Sequence, residues 1–312
     1  MPYRQKFLVT GGAGFIGSHI ARELVRKGCD VTCIDSLIGS ESWSRVDDIA
    51  DQIQIVTADL IEFDVASRVL SEIDVVFHTA GIREPTNSYD RLARAIHPNI
   101  VGDILLLEAA MHCDVQKVIL SSSCDIYGTG LDSHVTESDP INPACIDGLS
   151  KQLTECIATF CSSHCNLNVI SLRYTDVYGE TQTADPWTAP VAALAQAHAE
   201  GTVPLLTIDA DEPRDFVHVD DIVQANLLAM QSTLPSGSVL NIGSGFASTI
   251  RQLLQLTSSP EPRPTRFRMI RRSRHRSAVP SIAEATRLLG YTPEVALADG
   301  FARTLRWFQA GM

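Results

Sequence analysis

A glycine-rich turn between a short apolar run and an amphipathic segment is the feature that most restricts the fold of this chain. The letters FLVT at residues 7–10 run into GGAGFIG at residues 11–17, and apolar side chains then recur at helical spacing as far as Leu24. The spacing G-x-G-x-x-G is met by Gly12, Gly14 and Gly17. The pattern predicts a strand, a tight turn and a helix whose N-terminus can bind the pyrophosphate of a dinucleotide.

An aspartate at the end of the next apolar run makes the dinucleotide prediction specific. The run DVTCI at residues 30–34 ends in Asp35, at the distance from the glycines where a carboxylate accepts hydrogen bonds from an adenosine ribose. Such a carboxylate repels a 2′-phosphate, and no arginine or lysine follows before Arg45. We therefore predict NAD, rather than NADP, as the cofactor.

Composition restricts the remaining function classes. The 312 residues carry a net charge of −12, which argues against nucleic acid as a partner because phosphate neutralisation needs a basic surface. The N-terminal residues do not resemble a signal peptide, and no stretch predicts a membrane span. Eight cysteines show no metal-ligand spacing, so we expect no metal site and no disulfide framework. The expected location is the cytoplasm.

Apolar runs alternate with helical patterns along the first half of the chain. Further strands are predicted at residues 53–57, 74–81 and 117–120. This order predicts an α/β fold with a doubly wound parallel sheet of the Rossmann type and a smaller C-terminal α/β lobe that binds substrate. We expect the NAD-binding domain to comprise residues 1–172 and about 216–243, and the smaller lobe to comprise about 173–215 and 244–312.

A set of motifs extends along nearly the whole chain. Beyond the glycine-rich turn, the motifs are HTAG (78–81), NIVG (99–102), SSSCDIYG (121–128), GLSK (148–151), RYTDVYG (173–179), RDFVHVDD (214–221) and LLGYTP (288–293). Together they resemble the extended short-chain dehydrogenase/reductases, specifically the NAD-dependent epimerase/dehydratase family that acts on nucleotide sugars. The resemblance implies the Rossmann fold, NAD and a small-molecule substrate that is a nucleotide sugar or a related nucleoside or sugar phosphate. It also implies a homodimer through two long helices, at about 88–112 and 147–165.

The first departure from the family pattern replaces its catalytic tyrosine. The family pairs a tyrosine with a lysine four residues later; here the lysine is Lys151, but the earlier position is Asp147. The resemblance implies that Lys151 holds the nicotinamide ribose. Aspartate is shorter than tyrosine and has a reference pKa of about 3.9, so it cannot simply replace a tyrosinate. Asp147 is either a base that acts through a water or on a substrate that lies closer, or an ion-pair partner of Lys151. In the second case another group supplies the base or the redox step is lost.

The second departure lies in the segment SSSCDIYG. Dehydratases of the family carry Thr-Asp-Glu where this chain has Ser123, Cys124 and Asp125. A hydroxyl, a thiol and a carboxylate can bind a substrate oxygen, protonate a leaving hydroxyl and take a proton from carbon, which is what an elimination requires. The resemblance to a Thr-Cys-Glu variant of 5,6-dehydratases favours water loss. The alternative for Cys124 is a small buried filler.

Other positions take their expected roles from the resemblance alone. The residues expected to bind NAD are Gly11, Gly14, Phe15, Ile16, Gly17, Asp35, Ser36, Asp59, Leu60, Ala80, Gly81, Asn99, Ser121, Lys151, Tyr174 and Val177. The residues expected to bind substrate are Arg83, Ser88, Asp176, Arg214 and Arg271. Asp176 stands where the family has an asparagine, and an anion there puts an ordinary nucleotide-diphosphate sugar in question.

Three functional hypotheses follow from these residues. The first is an NAD-dependent dehydratase, a lyase that oxidises a sugar carbon transiently, eliminates water through Cys124 and Asp125, and returns the hydride. The second is a nucleotide-sugar 4-epimerase, which needs no acid at position 125. The third is a catalytically altered NAD-binding protein that lost turnover together with its tyrosine.

Overall fold

A computed structural model describes residues 5–40, 42–82, 92–128, 135–186, 188–203, 205–206, 209–256, 268–269 and 279–311. The strands are β1 (Lys6–Thr10), β2 (Asp30–Asp35), β3 (Gln54–Thr57), β4 (Val75–His78), β5 (Lys117–Ser123), β6 (Val169–Tyr174), β7 (Asp176–Tyr178), β8 (Leu205–Leu206), β9 (Phe216–His218), β10 (Val239–Ile242) and β11 (Arg268–Met269). The helices are α1 (Phe15–Arg26), α2 (Phe63–Leu70), α3 (Leu92–His112), α4 (Ile146–His164), α5 (Pro190–Ala199), α6 (Val219–Gln231), α7 (Ile250–Leu256), α8 (Ala283–Leu289) and α9 (Leu297–Gln309).

Seven parallel strands form the central sheet, in the order β10-β6-β5-β4-β1-β2-β3. The order reverses beside β1, which places the glycine-rich turn at the point where ligands bind in doubly wound sheets. The predicted fold class is confirmed. Pairing of β5 with β6 in register, Ser123 beside Tyr174, brings the segments that follow these two strands together.

Helices cover both faces of the sheet. On one face, α1 and α6 bury Ile20, Leu24 and Ile222 against strand residues such as Val9 and Phe77. On the other face, α2, α3 and α4 pack Leu70, Leu106, Leu107 and Ala158 against Leu8, Val76 and Val118. Strands buried on both faces read as continuous apolar runs, which explains why β1, β2 and β4 were recognisable in the sequence.

A smaller core lies beside the sheet. It gathers Tyr178 and Phe216 from the parallel pair β7 and β9 with Leu194 from α5, Leu253 from α7 and Phe301 from α9. We expected residues 216–243 to belong to the NAD-binding domain. The segment instead divides between the smaller core and the central sheet, because β9 pairs with β7 whereas β10 pairs with β6. Residues 173–174, expected in the smaller lobe, belong to β6. The division into two domains otherwise stays a prediction.

A half-buried carboxylate, Glu180, joins the smaller core to α6 and α9. Glu180 accepts hydrogen bonds from His218 Nε2 at 3.0 Å and from Arg303 Nε at 2.8 Å. Burial raises the pKa of Glu180, but hydrogen bonds from His218, its own main chain and Arg303 outweigh burial and lower that pKa to about 2.

Replacing Glu180 with glutamine is expected to lower the free energy of unfolding at pH 7 by about 3 kcal/mol. Because the pKa of Glu180 is lower in the folded state, its stabilisation is complete above a pH of about 4.5 and is lost as the pH falls through about 2. The difference from wild type should thus narrow below pH 4.5, as measured by urea unfolding between pH 7 and pH 3. The control is Glu284→Gln, which removes an exposed ion pair with Arg287. Equal stability of Glu180→Gln and wild type at pH 7 would contradict the prediction.

Among the residues that the structure describes, no helix is long and apolar enough to cross a membrane.

Candidate active site

The glycine-rich turn forms a groove of bare main chain. Gly11 has φ of +67°, and a Cβ on it would lie 2.8 Å from the amide nitrogen of Ala80. A Cβ on Gly17 would collide with the carbonyl oxygen of Gly11 and lie 2.8 Å from Thr79 Oγ1. The Gly14 amide donates to Gly11 O at 2.9 Å and so closes the turn before α1 begins. Glycine is therefore required where the turn packs against the segment after β4 and against the start of α1, and main chain at the N-terminus of a helix fits a dinucleotide pyrophosphate.

Asp35 lies at the side of this groove. Its Oδ2 accepts a hydrogen bond from the Ala13 amide at 3.1 Å, and its Oδ1 accepts one from the Leu37 amide at 2.8 Å. Each carboxylate oxygen keeps acceptor capacity for a second donor, which suits the two hydroxyls of a ribose. The predicted partner of the adenosine ribose is therefore held against the turn by two main-chain donors.

Arg45 is a residue whose position the sequence did not reveal. Its Nη1 donates to Ala13 O at 3.2 Å, while Nε donates to Thr181 O at 2.9 Å and Nη2 to Thr183 Oγ1 at 2.6 Å. Burial is the main cause that lowers the pKa of Arg45. The guanidinium ties the segment after β7 to the glycine-rich turn through three of its five N–H donors.

The other residues expected to bind the adenosine half of NAD lie at the same edge of the sheet. Phe15 and Ile16 begin α1, and the ring of Phe15 meets that of His19 edge-on at 5.6 Å. Asp59 Oδ1 accepts from the Ile61 amide at 3.1 Å, whereas the Leu60 side chain is buried in the core. Ser36, directly after β2, is half-buried.

The segment after β4 brings Lys151 to the groove. Asn99 accepts from the Ile82 amide at 2.7 Å and donates to the Ile82 carbonyl at 2.9 Å, which fixes this segment against α3. Lys151 Nζ and Asn99 Oδ1 both lie 3.8 Å from the point where Gly81 would carry a Cβ. Lys151, Asn99 and the Gly81 main chain therefore lie close together, and their binding of the cofactor stays a prediction.

A buried polar chain underlies this site. The Ala80 amide donates to Thr10 Oγ1 at 3.1 Å, and Thr10 Oγ1 contacts His78 Nδ1 at 2.7 Å. His78 Nε2 contacts Asp103 Oδ1 at 2.6 Å, and the Thr154 hydroxyl on α4 donates to Asp103 Oδ2. Burial raises the pKa of Asp103, but contacts with His78 and the charge of Lys151 lower it further than burial raises it. The chain joins the cofactor groove to the helix that carries Lys151.

The segment after β5 packs against the first turn of α4. Ser123 Oγ accepts from the Asp125 amide at 3.1 Å and begins a 3₁₀ helix over Cys124–Tyr127. A Cβ on Gly148 would lie 2.5 Å from the carbonyl oxygen of Asp125, so only glycine permits this approach. Asp147 precedes that glycine, and Lys151 lies one turn later on the same helix. The structure thus brings together the segments that carry Ser123, Asp125, Asp147 and Lys151.

The thiol of Cys124 is turned towards β6. Sγ donates to the carbonyl oxygen of Arg173 at 3.3 Å. Burial, followed by the charges of Asp215 and Asp125, raises the pKa of Cys124 well above its usual value. The thiol is therefore protonated at neutral pH, and its hydrogen is directed at a main-chain carbonyl.

Tyr174 and Ser121 meet in the interior. Their hydroxyls lie 3.1 Å apart, and Tyr174 Oη also accepts from Asn226 Nδ2 at 2.9 Å. Burial raises the pKa of Tyr174 to about 12. Val177 is half-buried and packs against the same core. The phenol of Tyr174 is therefore already hydrogen-bonded to Ser121 and Asn226. The expected contact of Tyr174 with the nicotinamide depends on its main chain.

Two of the residues expected to bind substrate form an ion pair. Arg214 Nε and Nη2 donate to the two carboxylate oxygens of Asp176, at 2.6 Å and 3.0 Å. The other three predicted substrate residues, Arg83, Ser88 and Arg271, lie outside the described residues.

Comparison with known proteins decides the family. A profile of the NAD dependent epimerase/dehydratase family matches residues 7–243. The chain belongs to this family. The membership confirms the resemblance read from the motifs and, with the groove and Asp35, identifies the cofactor as NAD.

Relatives within the epimerase/dehydratase family span the full length of the chain. UDP-glucose 4-epimerase of Mycolicibacterium smegmatis is 31% identical, over 97% of this chain and 98% of the relative. The structure of UDP-glucose 4-epimerase from Thermotoga maritima with UDP-glucose superposes with a TM-score of 0.90 at 29% identity, over 98% of this chain and 99% of that one. A dTDP-glucose 4,6-dehydratase from Streptomyces venezuelae, with NAD and TYD bound, gives a TM-score of 0.88 at 26% identity, over 98% and 97% of the two chains.

Proposed function

We propose that this protein is an NAD-dependent dehydratase of a nucleotide sugar or a related nucleoside or sugar phosphate. The observation that carries the proposal is the close packing of Gly148 against Asp125, which brings two carboxylate-bearing segments to the side of the groove where Lys151 meets Gly81. These segments carry two carboxylates, Asp125 and Asp147, whereas an enzyme that only oxidises and reduces its substrate needs a single base.

The chain's own residues divide the work of an elimination. NAD, when bound, supplies a transient acceptor for the hydride of a sugar carbon. Lys151 holds the ribose and places a positive charge beside Gly81, Ser123 holds a substrate oxygen, and Asp125 takes the proton from carbon. Asp147 would take the proton that the sugar hydroxyl loses on oxidation and give it to the oxygen on the neighbouring carbon. That oxygen leaves as water when Asp125 takes the proton from carbon and the electron pair of the broken carbon–hydrogen bond forms the double bond. The hydride then returns to the sugar.

Cys124 and Asp147 differ in how well each could supply that proton. Cys124 is protonated, but its hydrogen is directed at Arg173 O and its pKa is raised, which makes it a weak general acid. Asp147 on the opposite segment is the second group that could exchange a proton with the substrate. We propose the pair of carboxylates, with Cys124 as a lesser contributor, as the acid and base.

A 4-epimerase is the second candidate, and the names of the relatives favour it. Several curated relatives are UDP-glucose 4-epimerases, including those of Mycolicibacterium smegmatis and Bacillus subtilis. An epimerase removes and returns hydride without breaking a carbon–oxygen bond, so it does not use the carboxylate of Asp125.

Mass spectrometry in deuterated water distinguishes these functions. The purified protein with NAD is incubated with a panel of nucleotide sugars, sugar phosphates and nucleosides. A product lighter by one water that carries deuterium on carbon supports the dehydratase. An isomer of unchanged composition overturns it in favour of the epimerase, and conversion of no panel member by NAD-loaded protein overturns both in favour of a binding protein.

We also propose that the protein forms a homodimer through α3 and α4. Apolar side chains on these adjacent helices are exposed, with Ile104 at 41%, Leu153 at 39% and Phe160 at 58%. Leu153, Ile157 and Phe160 follow one stripe of α4 at helical spacing. Two neighbouring helices that each present apolar residues can pair with the same two helices of a second copy about a two-fold axis.

The double variant L153D/F160D is expected to weaken self-association by about 100-fold or more, because burial of two large apolar side chains is replaced by charge. Sedimentation velocity over a concentration series measures the change. The control is Phe246→Asp, which alters a phenylalanine that is 73% exposed on another part of the surface. Dissociation by the control to the same extent, or a double variant that dimerises as wild type does, would contradict the proposed interface.

A further inference from the structure

Asp176 begins β7 at the carboxyl end of the central sheet. β6 ends at Tyr174, which pairs in register with Ser123, so the residues that follow the two strands lie side by side. The Asp176 amide donates to the Asp215 carbonyl at 3.0 Å, and Asp176 pairs with Phe216 in the short sheet. Asp176 therefore lies at the same end of the sheet as Asp125 and the candidate active site.

Arg214 is fixed beside Asp176 by its main chain and its side chain. Its amide donates to Ser248 O at 2.8 Å, and the Ser248 amide donates to Arg214 O at 2.7 Å. The guanidinium and the Asp176 carboxylate form two parallel hydrogen bonds, with side chains that are only 15% and 22% exposed. Bidentate pairs with little water around them are the strong form of this interaction.

Carboxylates among the described residues act on this guanidinium. Burial lowers the pKa of Arg214, and the carboxylates of Asp176, Asp125 and Glu212 raise it above its usual value. Of these, Asp176 is the one in direct contact with the guanidinium within the described residues. An incoming phosphate could bind Nε and Nη2 only by displacing Asp176, which would leave a largely buried carboxylate unpaired next to a second anion.

We propose that Asp176 is a specificity-determining residue that occupies Arg214 and makes this end of the site reject a diphosphate and accept an uncharged, hydroxyl-bearing group. The carboxylate oxygens accept hydrogen bonds from hydroxyls, and the guanidinium Nη1 offers donors to hydroxyl oxygens. The inference rests on the proposed function, since it concerns the substrate of that same site, and it narrows the substrate class to compounds without a diphosphate at Arg214.

Direct binding tests the inference without turnover. Isothermal titration of the NAD-loaded protein uses UDP as the anionic probe and uridine as the neutral probe. Asp176→Asn keeps the shape of the side chain but frees the guanidinium, so UDP should bind about tenfold tighter or more than to wild type, while uridine binding stays unchanged. The gain should shrink as salt is added.

Two further variants serve as controls for the titration. Asp48→Asn is the matched control, because Asp48 also makes a bidentate pair, with Arg22 at 2.8 Å and 2.9 Å, on an exposed surface. It should bind UDP as wild type does. The double variant D176N/R214Q removes the pair without a change in net charge and should also match wild type within threefold.

The proposal is overturned if Asp176→Asn gains no affinity for UDP, or if D176N/R214Q loses tenfold, since the latter would show that Arg214 holds phosphate in the wild-type protein. Either result leaves the dehydratase proposal to its own test, because mass spectrometry reads turnover and the titration reads binding alone.

Discussion

Replacing Asp125 with asparagine is expected to lower turnover by about 10²- to 10⁴-fold, the usual contribution of a positioned general base. The asparagine keeps the shape of the side chain and the hydrogen bond from its own amide to Ser123 Oγ, so the 3₁₀ helix after β5 should persist. NAD affinity should be unchanged, because Lys151, Asn99 and the glycine-rich turn are untouched. The rate is measured on the substrate found by mass spectrometry, and NAD affinity by titration.

Cys124→Ala is the matched control for this variant. The thiol is adjacent in sequence but donates to Arg173 O, so its removal should lower turnover by about tenfold or less. A Cys124→Ala enzyme as inactive as Asp125→Asn would make the thiol the general acid. Full activity of Asp125→Asn would exclude the elimination and favour the epimerase, which needs no carboxylate there.

Replacing Glu155 with glutamine is expected to lower the free energy of unfolding by about 3–5 kcal/mol, the cost of leaving one member of a buried ion pair without its counter-charge. Arg173 Nε and Nη2 contact the Glu155 carboxylate at 3.0 Å and 2.7 Å, and the two side chains are 4% and 6% exposed. The same carboxylate accepts from Ser122 Oγ at 2.5 Å. Urea unfolding at pH 7 measures the change.

The double variant E155L/R173M tests whether the loss comes from an unpaired charge. It removes both charges and restores apolar packing, so it should recover much of the stability lost in Glu155→Gln. Tyr127 loses a donor in this variant, because Arg173 Nη1 donates to its hydroxyl at 2.8 Å, so recovery should be incomplete. A single variant within 1 kcal/mol of wild type would contradict the assigned role of the pair.

The sheet was predictable because its signals are local. β1, β2 and β4 are continuous apolar runs buried on both faces. The turn after β1 needs glycine for local reasons as well, because Gly11 has a positive φ and a Cβ on Gly17 would collide with the carbonyl oxygen of Gly11. The short strand β7 was not predicted, because three residues are too few to show a period. The strand expected near Phe216 is present as β9, but it pairs with β7 and not with the central sheet. Their pairing depends on residues far apart in the chain.

Part of the site was also predictable. Asp35 and the glycines follow from a fixed spacing, and Lys151 from a motif. Arg45 gave no signal, since its acceptors lie on the turn and on the segment after β7. Asp103 gave none either, because its role requires His78 on β4 and Thr154 on α4 to meet it in the interior.

The sequence by itself therefore determined the cofactor groove and the family, because both depend on runs of contiguous residues whose backbone conformation is set locally. Tertiary structure alone decided which polar groups remain for chemistry. The register of β5 on β6 directs the Cys124 thiol to Arg173 O, and the pairing of β7 with β9 unites Asp176 with Arg214, 38 residues away. Ion pairs and hydrogen bonds act over a few ångströms, and such distances between separate segments exist only once the chain has packed.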